Sequence, residues 1–130
     1  MPHLTIEYSA NLESQLNLPE LITVLHERAI CIDAFPLAGM RTRAERRDYY
    51  RVADGHPDNG FIHLSLKIGA GRDLETRQAA GETLFGALND YLAPLADQRP
   101  IAISFELSEL SEDTNYKGGN IRDYLARRAG

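Results

Sequence analysis

Pro2 is the residue whose chemistry depends most on where it stands. It follows the initiator methionine, and an alternating segment, His3-Leu4-Thr5-Ile6-Glu7, begins at once. Removal of Met1, which a small second residue permits, would leave a secondary amine fixed to the start of a strand. The proline ring fixes the direction of that nitrogen better than a flexible side chain does. An ordinary terminal amine has a pKa of about 7.7–8.0 and is mostly protonated at pH 7. Burial and neighbouring cations both disfavour the charged form and make such an amine a base. Each unit of lowering takes about 1.4 kcal/mol of differential interaction, which one or two close guanidinium groups in a partly dry pocket supply. The same groups would bind an anionic substrate and stabilise enolate charge during proton transfer. With Met1 attached, the Pro2 nitrogen is an amide and has no such role. Proline at position 2 is common, so this chemistry rests on what surrounds it.

Arginines are concentrated in one stretch. Arg41, Arg43, Arg46, Arg47 and Arg51 lie within eleven residues of a chain whose formal net charge is -5. Composition allows two readings: a solvated helical face paired with Glu45 and Asp48, or a local anion site. Gly69-Ala70-Gly71-Arg72 follows a strand-like segment and opens a helical one, a place where an anion can sit. It lacks the third glycine of a dinucleotide fingerprint and the lysine of a P-loop. His3, His26, His56 and His63 show no metal-ligand spacing, so no metal site is expected. No G-x-S-x-G elbow is present.

The elements that must position these residues come from an internal echo. His3-Leu4-Thr5-Ile6-Glu7 recurs as His63-Leu64-Ser65-Leu66-Lys67, both with the period of a half-buried strand. Leu4, Ile6 and Tyr8 share one face; Ile62, Leu64, Leu66 and Ile68 share another. A helix is expected after each. In the first, Pro19 fits the opening turn, and Leu18, Leu21, Ile22, Leu25 and Ala29 recur at helical spacing up to about Ile30. In the second, Asp73 is the N-cap and Leu74, Leu84, Leu88 and Tyr91 mark a face. Each helix leads to a further extended segment, Phe35 to Arg41 and Ile101 to Leu107. Thr42 to Arg51 reads as a short helix, Asp54 to Gly60 as a turn-rich loop, and Ile121 to Arg128 as a basic terminal helix.

The chain is thus an α/β (α+β) protein of two βαβ units, approximately residues 2–60 and 61–130, forming a single domain. Crossover helices join parallel strands, and two such units give a four-stranded sheet with both helices on one face. The other face carries His3, Thr5, Glu7, His63, Ser65, Lys67, Ala102, Ser104 and Glu106 and is left for water or for other subunits.

With 43% hydrophobic and 25% charged residues, the 130-residue chain has an ordinary globular balance. No apolar run approaches the roughly 20 residues of a membrane helix, and the start lacks the pattern of a signal peptide. The acidic balance argues against nucleic acid as a partner. A single cysteine, Cys31, fits a cytoplasmic protein and reads as core filler.

The residues also resemble a known family. Pro2-His3, Phe35-Pro36-Leu37-Ala38-Gly39-Met40-Arg41-Thr42-Arg43, Ala53-Asp54-Gly55 and Leu66 to Glu75 are similar to the 5-carboxymethyl-2-hydroxymuconate isomerases of the tautomerase superfamily, over nearly the whole chain. The resemblance implies a homotrimer without cofactor that ketonises a dienol tricarboxylate in bacterial homoprotocatechuate catabolism. It implies Pro2 as the catalytic base, Arg41 and Arg72 as the substrate-binding residues, and one catalytic and one structural repeat per chain. Three carboxylates suit the planar fork and permanent charge of arginine. The arginines of residues 43–51 fall outside this transfer and are expected to be surface charge. Whether Arg41 and Arg72 reach Pro2 within one subunit stays open at this level. So do two other functions: a phenylpyruvate-type keto–enol tautomerase and a non-catalytic trimeric binding module of the same fold.

Overall fold

In the computed structural model, which describes residues 1–130, two βαβ units run against each other. The elements are β1 (His3–Ser9), α1 (Leu18–Ile30), β2 (Arg41–Arg47), β3 (Gly60–Gly69), α2 (Leu74–Ala96), β4 (Ile101–Leu110) and α3 (Ile121–Ala129), with 3-10 turns at Ala10–Gln15 and Leu37–Gly39. The sheet order is β2-β1-β3-β4. β1 pairs parallel with β2, β3 parallel with β4, and β1 antiparallel with β3. Each helix is therefore a crossover, as a parallel pair requires.

The alternation of the central strands sets the core. Leu4, Ile6 and Tyr8 of β1 and Ile62, Leu64, Leu66 and Ile68 of β3 are buried on the helix side. They meet Leu21, Leu25 and Ala29 of α1 and Ala80, Leu84, Ala87, Leu88 and Leu92 of α2. Each fully buried leucine or isoleucine contributes about 1.5–3 kcal/mol. Asn17 caps α1 by accepting from Glu20 N at 3.2 Å, and Asp73 caps α2 by accepting from Thr76 N at 2.8 Å. Gly81 lets α2 approach β4: a methyl there would stand 3.2 Å from Phe105 Cε1.

Four expectations need correction. The strand after α1 is Arg41–Arg47, not Phe35 to Arg41, and the helix expected over Thr42 to Arg51 does not form. Pro36 has no N–H for a ladder, and the chain there takes a 3-10 turn instead. β2 is an edge strand, where charged side chains are usual. Its core-side residues, opposite Leu4, Ile6 and Tyr8, are Thr42, Ala44 and Arg46, so no apolar alternation marks it. Cys31 is exposed rather than core filler. It caps α1 two residues beyond Ala29, about 200° around the helix from the buried stripe. Leu74, at the first turn of α2, is likewise exposed and outside that helix's buried stripe.

Candidate active site

The antiparallel joining of the two units gathers distant residues at one end of the sheet. In register, His3 stands between Arg41 and Lys67, so β1 and β2 begin where β3 and β4 end. Pro2 is buried there, immediately ahead of β1. Its carbonyl accepts from Arg41 N at 3.2 Å, which ties the start of β2 to it. Gly39 lies alongside; a methyl there would be 3.5 Å from Pro2 Cδ, in contact without clash. Arg41 Nη1 donates to Gly39 O at 3.2 Å, and Nη2 lies 3.9 Å from the Met1 sulfur.

Arg72 comes from the turn after β3. Gly71 has a φ of 117°, a conformation that favours glycine. Arg72 Nη1 donates to Gly69 O at 3.2 Å and Nη2 to Ala34 O at 2.6 Å. The guanidinium carbon stands 5.6 Å from the centroid of the Phe35 ring. This side chain is therefore fixed in place before any ligand arrives. The glycine turn itself cradles no free space for an anion, because Gly71 N donates to the Glu109 carboxylate at 3.3 Å.

The electrostatics of the chain terminus report how close these cations are. Burial holds the Met1 amine below its ordinary range, and Lys117, Arg72 and Arg41 push it further down, in that order. Arg41 and Arg72 thus act on the same end of the same chain as Pro2. Lys117 was not singled out by the sequence, which marks its surroundings only as Gly118-Gly119 ahead of a helix. Met1, Gly39, Arg41, Lys117, Arg122 and Asp123 are among the residues lining a cavity of about 480 Å³ at this end. Arg41, Arg72 and Lys117 form no ion pair with a carboxylate.

The other singled-out residues lie elsewhere. His3 faces the helix-free side of the sheet, 3.2 Å from Arg43 Nη1. Burial first, then Arg43 and Arg41, hold its imidazole below the usual range. His26 Nδ1 lies 2.8 Å from Thr42 Oγ1, His63 Nδ1 lies 2.7 Å from Ser104 Oγ, and His56 Nδ1 accepts from Asp58 N at 3.1 Å. Arg46 and Arg47 are bound by carboxylates at the far end of β2, as expected of surface charge.

The chain is similar to known proteins in sequence and in fold. Residues 2–125 match the family model described as 5-carboxymethyl-2-hydroxymuconate isomerase. A 5-carboxymethyl-2-hydroxymuconate Delta-isomerase of Escherichia coli is 41% identical over 121 residues, covering 93% of this chain and 96% of that protein. The crystal structure of a 5-carboxymethyl-2-hydroxymuconate isomerase from Deinococcus radiodurans R1 superposes with a TM-score of 0.89 at 40% identity, covering 95% of this chain and 93% of that one. The macrophage migration inhibitory factor from Trichinella spiralis shares the fold, with a TM-score of 0.59 at 13% identity over 90% of this chain and 96% of that one.

Proposed function

The chain belongs to the 5-carboxymethyl-2-hydroxymuconate isomerase family, and from that premise we propose that it ketonises a dienol tricarboxylate with Pro2 as the base. The observation that carries the proposal is the gathering of Pro2, Arg41 and Arg72 at one end of the sheet, with neither arginine paired to a carboxylate. Met1 is removed, and the Pro2 nitrogen becomes a secondary amine in a half-dry, cationic pocket. Its charged form is disfavoured by burial and repelled by the arginines, so the free base is available near neutral pH. The amine takes the proton of the substrate 2-hydroxyl. The enolate electrons fall back to form C=O, the C=C shifts, and the same nitrogen returns the proton to carbon. No electrons leave the substrate, so the step balances without a cofactor. Arg41 holds a substrate carboxylate and stabilises the developing enolate charge. Arg72, anchored on two carbonyls and Phe35, adds a fixed positive charge and its remaining N–H groups to the same task.

The chain acts as a homotrimer in this reading. Two surfaces support it: the helix-free sheet face, and an apolar groove lined by Leu74, Phe85, Phe105 and Leu107 beside the edge strand β4. Residues 2–60 are the catalytic half, supplying the base and Arg41; residues 61–130 are the structural copy of one domain, without a terminal proline, and contribute Arg72 to the site. The enzyme works in the cytoplasm on the breakdown of an aromatic acid, without membrane or nucleic-acid partners.

The test is the N-terminus. Protein processed to Pro2, verified by intact mass, is expected to turn over the tricarboxylate dienol, whereas protein retaining Met1 is expected to be inactive. Equal activity of the two forms would end the proline-base reading. A kcat/KM higher for phenylpyruvate than for the tricarboxylate would point to a general tautomerase instead.

A further inference from the structure

Pro2, Arg41 and Arg72 leave residues 111–130 without a task. β4 ends at Leu110, and the chain then returns without regular structure towards the start of β1. Gly119 has a φ of 102°, a region that favours glycine, and no neighbouring atom lies within 4 Å of a methyl built at Gly118 or Gly119. The glycines therefore serve the turn of the backbone and not a close approach. That turn leads into α3, which packs on the Leu37–Gly39 segment beside Pro2. α3 buries none of its residues; its Tyr124 is partly exposed, and the guanidinium carbons of Arg127 and Arg128 stand 4.7 and 5.8 Å from the ring centroid. A segment held by so little buried apolar surface belongs to the low-stability end of a fold.

Lys117 sits on this segment and lines the cavity shared by Met1, Gly39 and Arg41, with no carboxylate within ion-pair distance. Asp123 lines the same cavity, but Arg41, Lys117 and Arg122 outnumber it. We propose that Lys117 is a third cationic substrate contact, carried on a movable wall of the site, and that it selects for a substrate with several carboxylates over one with a single carboxylate. The proposal rests on the isomerase reading above. Its logic is one of number: Arg41 and Arg72 can each receive a carboxylate, and a tricarboxylate has one more. Lysine suits a wall that moves, because a flexible stem carrying a point charge needs no fixed fork geometry. The same charge is the foremost of those acting on the chain terminus.

The experiment compares wild type, Lys117→Met and Lys117→Arg, all processed to Pro2, on the pH plateau above the acidic limb. Lys117→Met is expected to lower kcat/KM for the tricarboxylate dienol about tenfold, the weight of roughly one charge-assisted contact, mostly through KM. Lys117→Arg is expected to restore it, and the thermal midpoint is expected to be unchanged in both. An unchanged kcat/KM, a fall confined to kcat, or a fall that arginine does not restore would overturn the proposal. A wild type that does not turn over the tricarboxylate would instead sink the parent function. In that case calorimetric binding of propane-1,2,3-tricarboxylate decides: the site stands if wild type binds it and Lys117→Met binds it about tenfold more weakly. It falls if the two bind alike or wild type does not bind.

Discussion

At one end of β2, Arg46 and Arg47 are each held by two carboxylates; at the other end, six residues away, Arg41 has none. Arg46 bridges Glu13 and Asp48, and Arg47 bridges Glu7 at 2.6 Å and Glu45 at 2.8 Å. The far end is closed in other ways as well. Tyr8 donates to Glu13 at 3.1 Å, and burial with that bond raises its hydroxyl pKa. Ser9 donates to Asn11 at 2.7 Å and accepts from Phe61 N at 2.9 Å, while Asn11 donates to the carbonyls of Pro57 and Asn59. At the site end, by contrast, the cations bond to backbone carbonyls, which orient a guanidinium without neutralising it. A carboxylate arriving there meets charge that is positioned and unspent. Each end of the strand carries two arginines; pairing is what separates the structural end from the end proposed to bind substrate.

The largest expected effect tests that separation directly. Arg41→Ala is expected to lower transition-state stabilisation by about 2–5 kcal/mol in kcat/KM, the range for removing one partner of a desolvated charge pair. Arg46→Ala and Arg47→Ala are expected to leave kcat/KM unchanged, since their partners lie on the exposed far end. An Arg47→Ala variant as damaged in kcat/KM as Arg41→Ala would erase the distinction.

The next effect is on stability and belongs to the closed end. A methyl at Gly60 would stand 2.7 Å from Leu12 Cδ2 and 2.9 Å from Leu12 Cγ, with Ser9 Oγ at 3.1 Å. Leu12 is fully buried and has nowhere to move. Gly60→Ala is expected to cost about 1–3 kcal/mol by overpacking, read as a lower denaturation midpoint at matched protein concentration. The pH–rate profile of the folded variant is expected to match wild type, because the site lies at the other end of the sheet. A shifted profile would mean that the two ends are coupled.

The same contrast explains what the sequence could reveal. β1 and β3 were legible because Leu4, Ile6 and Tyr8, and Ile62 to Ile68, alternate over a buried face; α1 and α2 because Pro19 and Asp73 mark their starts. β2 was hidden because the inward residues of this edge strand are Thr42, Ala44 and Arg46, with no apolar alternation, and its charges read equally well as a helical face. Phe35 and Met40 misled in the opposite sense: they are buried, yet lie in the turns before β2 and not in a strand. The roles proposed for Pro2, Arg41 and Arg72 came from the family resemblance, but their meeting depends on the antiparallel junction of β1 with β3, which no local pattern specifies. Lys117 is remoter still, since only the return of the tail after β4 brings it to the cavity.

The smallest effect separates charge from geometry at the open end. Arg72 donates to Gly69 O and Ala34 O and lies over Phe35, three contacts that require a planar fork. Its charge also helps to lower the pKa of the Met1 amine, and Pro2, the next residue, is the terminal amine once Met1 is removed. Lysine at this position keeps the charge and loses the fork. The sign is fixed by the amine being a cation when protonated. Removing a nearby positive charge raises its pKa, so activity is lost at a higher pH as the solution is acidified. The acidic limb of kcat/KM reports this group in the free enzyme, apart from any titration of the substrate itself. Arg72→Ala is therefore expected to lower the plateau and move the limb upward, whereas Arg72→Lys is expected to lower the plateau and leave the limb near its wild-type position. A limb that moves equally in both variants would show that Arg72 governs the base through the shape of the turn and not through its charge.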